Sequence, residues 1–313
     1  MQKALGIASN VGFHAPLRLL PGDVVEVSTR SQQPLPGSPQ RVGANVWLPA
    51  SANHHAAFAP LKDLLNQFGA SHFKPFFKRN TELSAVALRG ELYPDILVKL
   101  AASPAHIADI QAFYNQVLVP NGLPVPELLA EFDMPLSPGR LVYRYVEGKP
   151  YSAAALLTDH SREQVMALLE RLHAIPAGKL KRANPQQPYW VYLQRLVMRQ
   201  ALVTLDVAHI KKMVLMWRCI NRLPSVLSHG DLHAGNVLVN EKTGQLVIID
   251  WDRWGALPIG YDEACFLRGL PFHQALEHLP INPDLRIGFA VTSYWLGLVQ
   301  DPKFRFTSKA NEM

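Results

Sequence analysis

The sequence predicts an α+β fold of two lobes: a small, mainly antiparallel β lobe carrying one helix, then a larger helical lobe. Three observations predict it. β-forming runs in the order β-β-β-α-β-β occupy residues 70–147. Helical periodicity dominates from residue 148 onward. At 313 residues and 48% hydrophobic side chains, the chain is long enough to bury a sizeable core in each lobe. The expected divisions are an N-terminal extension of unreadable role at 1–57, the first lobe at 58–147 and the second at 148–313.

Each element has its own signal. Residues 1–57 are rich in Pro, Gly, Ser and Gln, with β-like runs at Val24–Val27 and Val46–Leu48. His54-His55 has no further ligand at metal-binding spacing and reads as a loop. "FAPLKDLLNQFGA" places Leu61, Leu64 and Leu65 on one helical face, with Gly69 as its stop. "HFKPFFKR", "ELSAVALRG" and "PDILVKLA" read as strands. "SPAHIADIQAFYNQVLVPNG" is a helix with Pro104 in its first turn and Asn121-Gly122 at its end. "VPELLAEFD" and "GRLVYRYVEG" close the lobe as two more strands.

In the second lobe, "SREQVMALLERLHAIP" offers a Ser161/Gln164 capping box and an apolar face of Val165, Leu168, Leu169 and Leu172. "PYWVYLQRLVMRQALVTL" and "AHIKKMVLMWRCINRLP" are further helices. Two short strands, Asn236–Val239 and Leu246–Asp250, then form a hairpin about Asn240–Gly244, and helices finish the chain.

The formal net charge is +6 and the pI about 9.3. Scattered Lys and Arg read as a solvated surface or as attraction for an anionic ligand such as a nucleotide. Without basic residues interleaved with aromatics, nucleic acid is not an expected partner. Cys219 and Cys265 lie in apolar surroundings with no C-x-x-C, as buried thiols in a reducing compartment would. The N-terminus has no sustained apolar run, and "IGFAVTSYWLGLV" is too short to span a bilayer. A soluble cytoplasmic protein without a membrane partner is the expectation.

Chemistry concentrates in "LSHGDLHAGNVLVNEKTGQLVIIDWDRWG", residues 227–255. Asp231 and Asn236 stand five apart across a loop, and Asp250 ends the facing strand fourteen residues after Asn236. An Asp on such a loop can take the proton of a substrate hydroxyl. A carboxamide oxygen and a carboxylate at neighbouring strand mouths form a hard-oxygen pair suited to Mg²⁺ carrying nucleotide phosphates. Taken singly, each residue also reads as a loop cap.

This pattern, H-x-D-x-x-x-x-N followed by a strand-ending Asp, resembles the catalytic and metal-binding segments of the protein-kinase-like superfamily. With Gly230 at the second position and "IIDWD" in place of D-F-G, it looks like the aminoglycoside phosphotransferase and choline kinase family. The resemblance covers roughly residues 70–300 and extends to "GLPVPELL", "LVYRYVEGKPY", "LLERLHAIP" and "GYDEACF". It implies a two-lobed kinase-like fold, an ATP cleft between the lobes, Mg²⁺, and transfer of the γ-phosphate to a hydroxyl of a small molecule.

The resemblance also implies roles. Asp231 matches the catalytic base, and Asn236 and Asp250 the metal ligands. Lys99 matches the third-strand lysine on the α and β phosphates. A solvent-facing edge strand is the other reading of that lysine. Its usual helix Glu is missing, and Asp109 is the nearest acid. The phosphate-covering loop "KRNTELS" lacks glycine, leaving Asn80, Thr81 and Ser84 as donors, or a plain turn. Backbone groups of Tyr143 to Tyr145 would meet the adenine edge, with Glu147-Gly148 as the exit turn. His229 and Asp262 match residues that support the catalytic loop. Asp252, flanked by Trp251 and Trp254, suits a cationic acceptor or is a surface acid beside two core rings. His233 is placed to reach the substrate or a phosphate. The acceptor expected is choline-, thiamine- or aminoglycoside-like. The alternatives are a non-catalytic nucleotide-binding scaffold and a kinase of a sugar or a protein.

Overall fold

The computed structural model describes residues 47–51, 61–78, 82–91, 94–100, 103–129, 140–151, 159–176, 186–240 and 243–301. The Val24–Val27 run, His54-His55, Asn80 and Thr81 lie outside them. The chain divides into two compact units, Met1–Tyr114 with Pro126–Val146, and Asn115–Val125 with Glu147–Met313. The placing of 115–125 in the second unit differs from the single boundary expected near 147. Its cause is hydrogen bonding. Ile248 N–H donates to the Pro124 carbonyl at 2.8 Å, and the Arg171 guanidinium to the carbonyls of Asn121 and Gly122, each at 3.0 Å.

The first unit holds β1 (Leu48–Pro49), α1 (Lys62–Phe68), β2 (Ala70–Lys78), β3 (Glu82–Gly90), β4 (Ile96–Lys99), α2 (Pro104–Phe113) and β5 (Leu141–Arg144). The strands form one antiparallel sheet in sequence order, β1-β2-β3-β4-β5. Alternation in β4 buries Ile96 and Val98, which join Val86, Leu88, Phe73 and the buried face of α1 in one core. Ser103 caps α2 by accepting the His106 N–H, and Pro104 follows it at the first helical position. The helix continues as a π-helical turn, Tyr114–Leu118. "VPELLAEFD" is not a strand over its described part and makes only an isolated bridge, Leu128 to Tyr143. Pro126 has no N–H to give a ladder there.

The second unit has β6 (Gly148–Pro150), α3 (Asp159–His173), α4 (Gln187–Met198), α5 (Val207–Ile220), β7 (Ser225–Ser228), β8 (Val237–Asn240), β9 (Leu246–Ile248), β10 (Gly255–Pro258), α6 (Tyr261–Leu267), α7 (Phe272–Glu277) and α8 (Pro283–Gln300). β6, β8 and β9 form one small antiparallel sheet, and β7 pairs with β10. α3 begins before Ser161, so the expected capping box falls inside its first turn. The apolar period fixes a helix's middle better than its start. Tyr189, Tyr192 and Leu196 of α4, Met213 and Ile220 of α5, and Tyr261 and Cys265 of α6 gather around Tyr294, Trp295 and Leu298 of α8. Three of these tyrosines have paired hydroxyls, Tyr192 with Tyr261 at 2.6 Å and Tyr189 with Thr292 at 2.8 Å. Cys265 is buried as expected, and Cys219 is half-buried. α8 approaches the β10–α6 connection so closely that a Cβ on Gly288 would stand 1.7 Å from the Ile259 carbonyl oxygen. Among the described residues no helix is long and apolar enough to cross a membrane.

Candidate active site

The site is built around one peptide unit, that of Ile249. β8 and β9 pair Val237 with Ile248, and one step beyond that register Ile249 N–H donates to the Asn236 carbonyl at 2.9 Å. On its other side the Ile249 carbonyl accepts from His229 Nε2 at 2.9 Å. The hairpin thus sets Asn236 opposite Ile249, and Asp250 is the next residue along. Asp250 has a left-handed backbone, φ 66° and ψ 55°. Asp tolerates that region better than most residues, at some cost, and the pinned Ile249 holds it there. The backbone leaves β9 at that point and enters a 3₁₀ turn, Trp251–Arg253.

His229 ties the loop to this strand end. A carbonyl can only accept, so Nε2 carries the hydrogen and Nδ1 is the acceptor, taking the Asp231 N–H at 3.3 Å. Burial pushes the imidazole down to about 4, so the ring is neutral at physiological pH and can fill both roles. It also packs on Trp251 at 4.5 Å between centroids. The expected support role of His229 has these bonds as its physical content.

Asp262, on α6, is fully buried and holds the same loop from below. Its Oδ2 accepts from His229 N–H at 2.6 Å and its Oδ1 from Gly230 N–H at 3.0 Å. Burial raises its carboxyl to about 6, and the two N–H donors oppose that rise without cancelling it. The group is still ionised at neutral pH. Gly230 has φ 81°, and a Cβ there would lie 2.1 Å from the Arg253 carbonyl oxygen. Only glycine fits, which explains the second position of the motif.

Asp231 then projects from a loop fixed at both ends. Its carbonyl accepts from Asn236 Nδ2 at 2.9 Å. That bond orients the buried carboxamide and makes Oδ1 the atom suited to ligate a cation. The Asp231 carboxylate is half-exposed and meets Arg253 Nη1 at 3.2 Å. Sequence reasoning passed over Arg253. Its one signal was a basic residue three positions after the strand-ending Asp in a segment of acids and aromatics.

The substrate group divides. Trp251 is 2% exposed, with its indole N–H given to the Ile248 carbonyl at 3.1 Å, and Trp254 is also buried. Both rings pack inside the protein. Asp252 is exposed and His233 is half-buried. His233 Nδ1 accepts the Gly235 N–H at 3.0 Å, capping the 3₁₀ turn Ala234–Asn236, so Nε2 carries the hydrogen in the neutral ring. Burial lowers its pKa, and the Asp231 carboxylate opposes the change.

In the first unit Lys99 is half-buried at the end of β4, in register with Ala85 and Leu141, and Asp109 is half-buried on α2. Ser84 lies in β3, beyond the loop proper, and its hydroxyl donates to the Phe76 carbonyl at 3.1 Å. Tyr143 is buried, its ring against Tyr114 at 5.7 Å. The Tyr145 hydroxyl accepts from Lys74 at 3.0 Å. The N–H groups of Arg144 and Tyr145 are engaged by the carbonyls of Glu127 and Asp95, at 2.8 and 2.9 Å. These two expected adenine-reading donors therefore serve the unit's own backbone.

An Asn carboxamide and an Asp carboxylate fixed on either side of one peptide fit Mg²⁺, which takes one or two protein oxygens and completes its octahedron with phosphate and water. No cluster of three or more His, Cys, Asp or Glu suited to a metal occurs among the described residues, so a cage made wholly of such side chains is not the chemistry they offer.

Comparison with solved structures places the fold. The chain resembles the GDP complex of wild-type aminoglycoside 2'-phosphotransferase-IIIa, with a TM-score of 0.54 and 14% identity over 80% of this chain and 93% of that one. It resembles the spectinomycin phosphotransferase APH(9)-Ia in complex with ADP and spectinomycin, at 0.52 and 16% over 81% and 91%. Choline kinase LicA from Streptococcus pneumoniae gives 0.51 and 15% over 79% and 92%. At such identities the likeness shows the fold, which is protein-kinase-like. No curated protein matches by sequence. The profile of the APH phosphotransferase enzyme family matches residues 85–279, a span of more than half the chain that includes Lys99 and the whole loop and hairpin. The chain belongs to the phosphotransferase enzyme family.

Proposed function

We propose that the chain transfers the γ-phosphate of ATP to a hydroxyl of a small molecule, with Asp231 as the group that orients and deprotonates that hydroxyl. The observation that carries this reading is the Ile249 peptide, held by Asn236 on one side and His229 on the other. Through it the base loop and the two ligand positions form one rigid unit. Phosphoryl transfer needs this kind of support, since its catalysis is mostly positioning and charge neutralisation.

Asn236 and Asp250 would hold Mg²⁺, which when bound neutralises phosphate charge. Lys99 is assigned to the α and β phosphates from its place at the end of β4, with Asn80, Thr81 and Ser84 as further phosphate donors. Tyr143 and Tyr145 mark the adenine-facing segment. Asp109 is assigned as the acid supporting Lys99. ADP and GDP complexes of proteins with this fold support a nucleotide as the donor. On the acceptor side, Asp252 is exposed and His233 half-buried, whereas Trp251 and Trp254 are buried and assigned to packing. An exposed acid favours an amino alcohol or an aminoglycoside over a neutral sugar. Arg253, paired with the Asp231 carboxylate at 3.2 Å, would help to orient it.

The test is ADP release across a panel of amino alcohols, aminoglycosides, thiamine-like alcohols, neutral sugars and a generic protein substrate. Mg²⁺-dependent turnover with a cationic alcohol, lost in Asp231→Asn, is expected. ATP binding without turnover on any acceptor would instead favour the nucleotide-binding scaffold.

A further inference from the structure

One stretch carries more positive charge than the net +6 of the whole chain. Residues 179–222 hold nine of the 31 Lys and Arg but only one of the 25 Asp and Glu, Asp206. The rest of the chain is left with 22 basic and 24 acidic side chains. The Lys and Arg are therefore not evenly scattered.

α4 and α5 occupy most of this stretch, and the start of α4 meets the end of α5. Trp190 packs edge-to-face on Trp217 at 4.8 Å, and the Gln186 side-chain amide bonds that of Asn221. Both helices rest on α8 through Trp295, whose ring lies 6.2 Å from Tyr189 and 6.1 Å from Trp217. Their opposite faces reach solvent. α4 exposes Trp190, Val197 and Met198, the last at 84%, and α5 exposes Ile210, Val214 and Leu215, the last at 62%. Ile210 and Val214, four apart, share a face, and Leu215 lies at its edge, four residues on from Lys211. Lys211, Lys212 and Arg218 on α5 and Arg195 on α4 are exposed too, with Lys211 and Arg218 on the same side of α5 as Val214.

Large apolar side chains set among cations, with a tryptophan at the border, match an anionic bilayer surface. The apolar tips enter below the headgroups, Lys and Arg meet the lipid phosphates, and the indole sits at the boundary. We propose that the α4–α5 hairpin is a peripheral docking surface for an anionic lipid membrane. A second copy of the chain is the poorer occupant, because a two-fold contact would press two surfaces of like charge together. Nucleic acid is poorer too, because the centre of the face is aliphatic and offers few rings on which bases stack. The membrane contact is at its surface, so it revises the expectation of no membrane partner without a spanning helix.

The experiment is co-sedimentation of the full chain with vesicles of phosphatidylcholine alone and of equal parts phosphatidylcholine and phosphatidylglycerol, at low and high salt. Sedimentation with the anionic vesicles, weakened by salt, is expected. K211E/K212E/R218E should lower partitioning on the order of a hundredfold or more. Leu215→Asp should weaken it while leaving circular dichroism unchanged. K211Q/K212Q serves as the milder variant should the charge reversal fail to fold. None of these residues belongs to the phosphate-transfer site. Absence of sedimentation with anionic vesicles overturns the proposal, as does a charge-reversed variant that binds like wild type. Two further results overturn it: a dimer in gel filtration that Leu215→Asp dissociates, or duplex DNA bound as tightly as vesicles and indifferent to Leu215→Asp.

Discussion

The ring of His229 donates from one nitrogen to Ile249 and accepts on the other from Asp231, and it does both only when neutral. Its pKa is lowered to about 4 from the usual 6.5. The unfolded chain therefore binds the proton more readily across that window. The stability due to this group is full above about pH 6.5 and is lost as pH falls toward 4. His229→Ala is expected to lower stability by about 2–4 kcal/mol, from the cavity and the orphaned polar groups, and to reduce turnover with it. A urea melt and a rate measurement on one sample check this. Asp231→Asn keeps the shape and removes the proposed base, so kcat should fall by roughly 10²–10⁴-fold while the melting temperature stays close to wild type. Arg253→Ala breaks a largely exposed ion pair whose stability value is at most about 1 kcal/mol. Its expected effect is on kcat, with little on thermal unfolding.

At the scale of elements, α6 supports the site from beneath, and its chemistry beside Asp262 is open to titration. Glu263 is buried with Oε1 at 3.5 Å from His173 Nδ1 of α3, and its Oε2 and His173 Nε2 have no hydrogen-bond partner. Burial raises Glu263 to about 8 and lowers His173 to about 4, so both are neutral near pH 7. A raised carboxyl binds its proton more tightly when folded, so its contribution to stability is lost as pH rises through about 8. Burial lowers the histidines in the opposite sense, but their window ends near pH 6.5, which leaves Glu263 alone above it. The melting temperature should decline between about pH 6.5 and 8.5 in wild type and stay flatter in Glu263→Gln. Equal declines would show that Glu263 is ionised throughout.

For the molecule as a whole, four strands of the sheet (β2 to β5), the hairpin and the helical second unit were legible because each rests on a local period or a turn. By contrast, β1 fell in the segment read as an extension, and "VPELLAEFD" was read as a strand that the sheet does not contain. The proposed group Asp231, Asn236 and Asp250 could be singled out because of its spacing, and the backbone reason for Gly230 came only with the fold. What escaped depends on contacts distant in sequence. Arg253 gains meaning only once its turn folds back on the loop, and Trp251 looks like a binding ring until His229 packs on it. β6 was invisible because three residues with a central Lys carry no period and pair only with a strand about ninety residues later. The backbone partners of the Arg144 and Tyr145 N–H groups were not legible because Glu127 and Asp95 lie in other segments.

The central claim is that Asn236 and Asp250, joined through the Ile249 peptide, act as one metal site serving the nucleotide. Mn²⁺ binding in the presence and absence of ATP, read by electron paramagnetic resonance, tests it directly, with Mn²⁺ standing in for Mg²⁺. Wild type is expected to bind Mn²⁺ tightly with ATP, and Asn236→Ala and Asp250→Asn should each lose that affinity while remaining folded. If either variant retains wild-type Mn²⁺·ATP binding, the two residues do not share an ion and the account is contradicted.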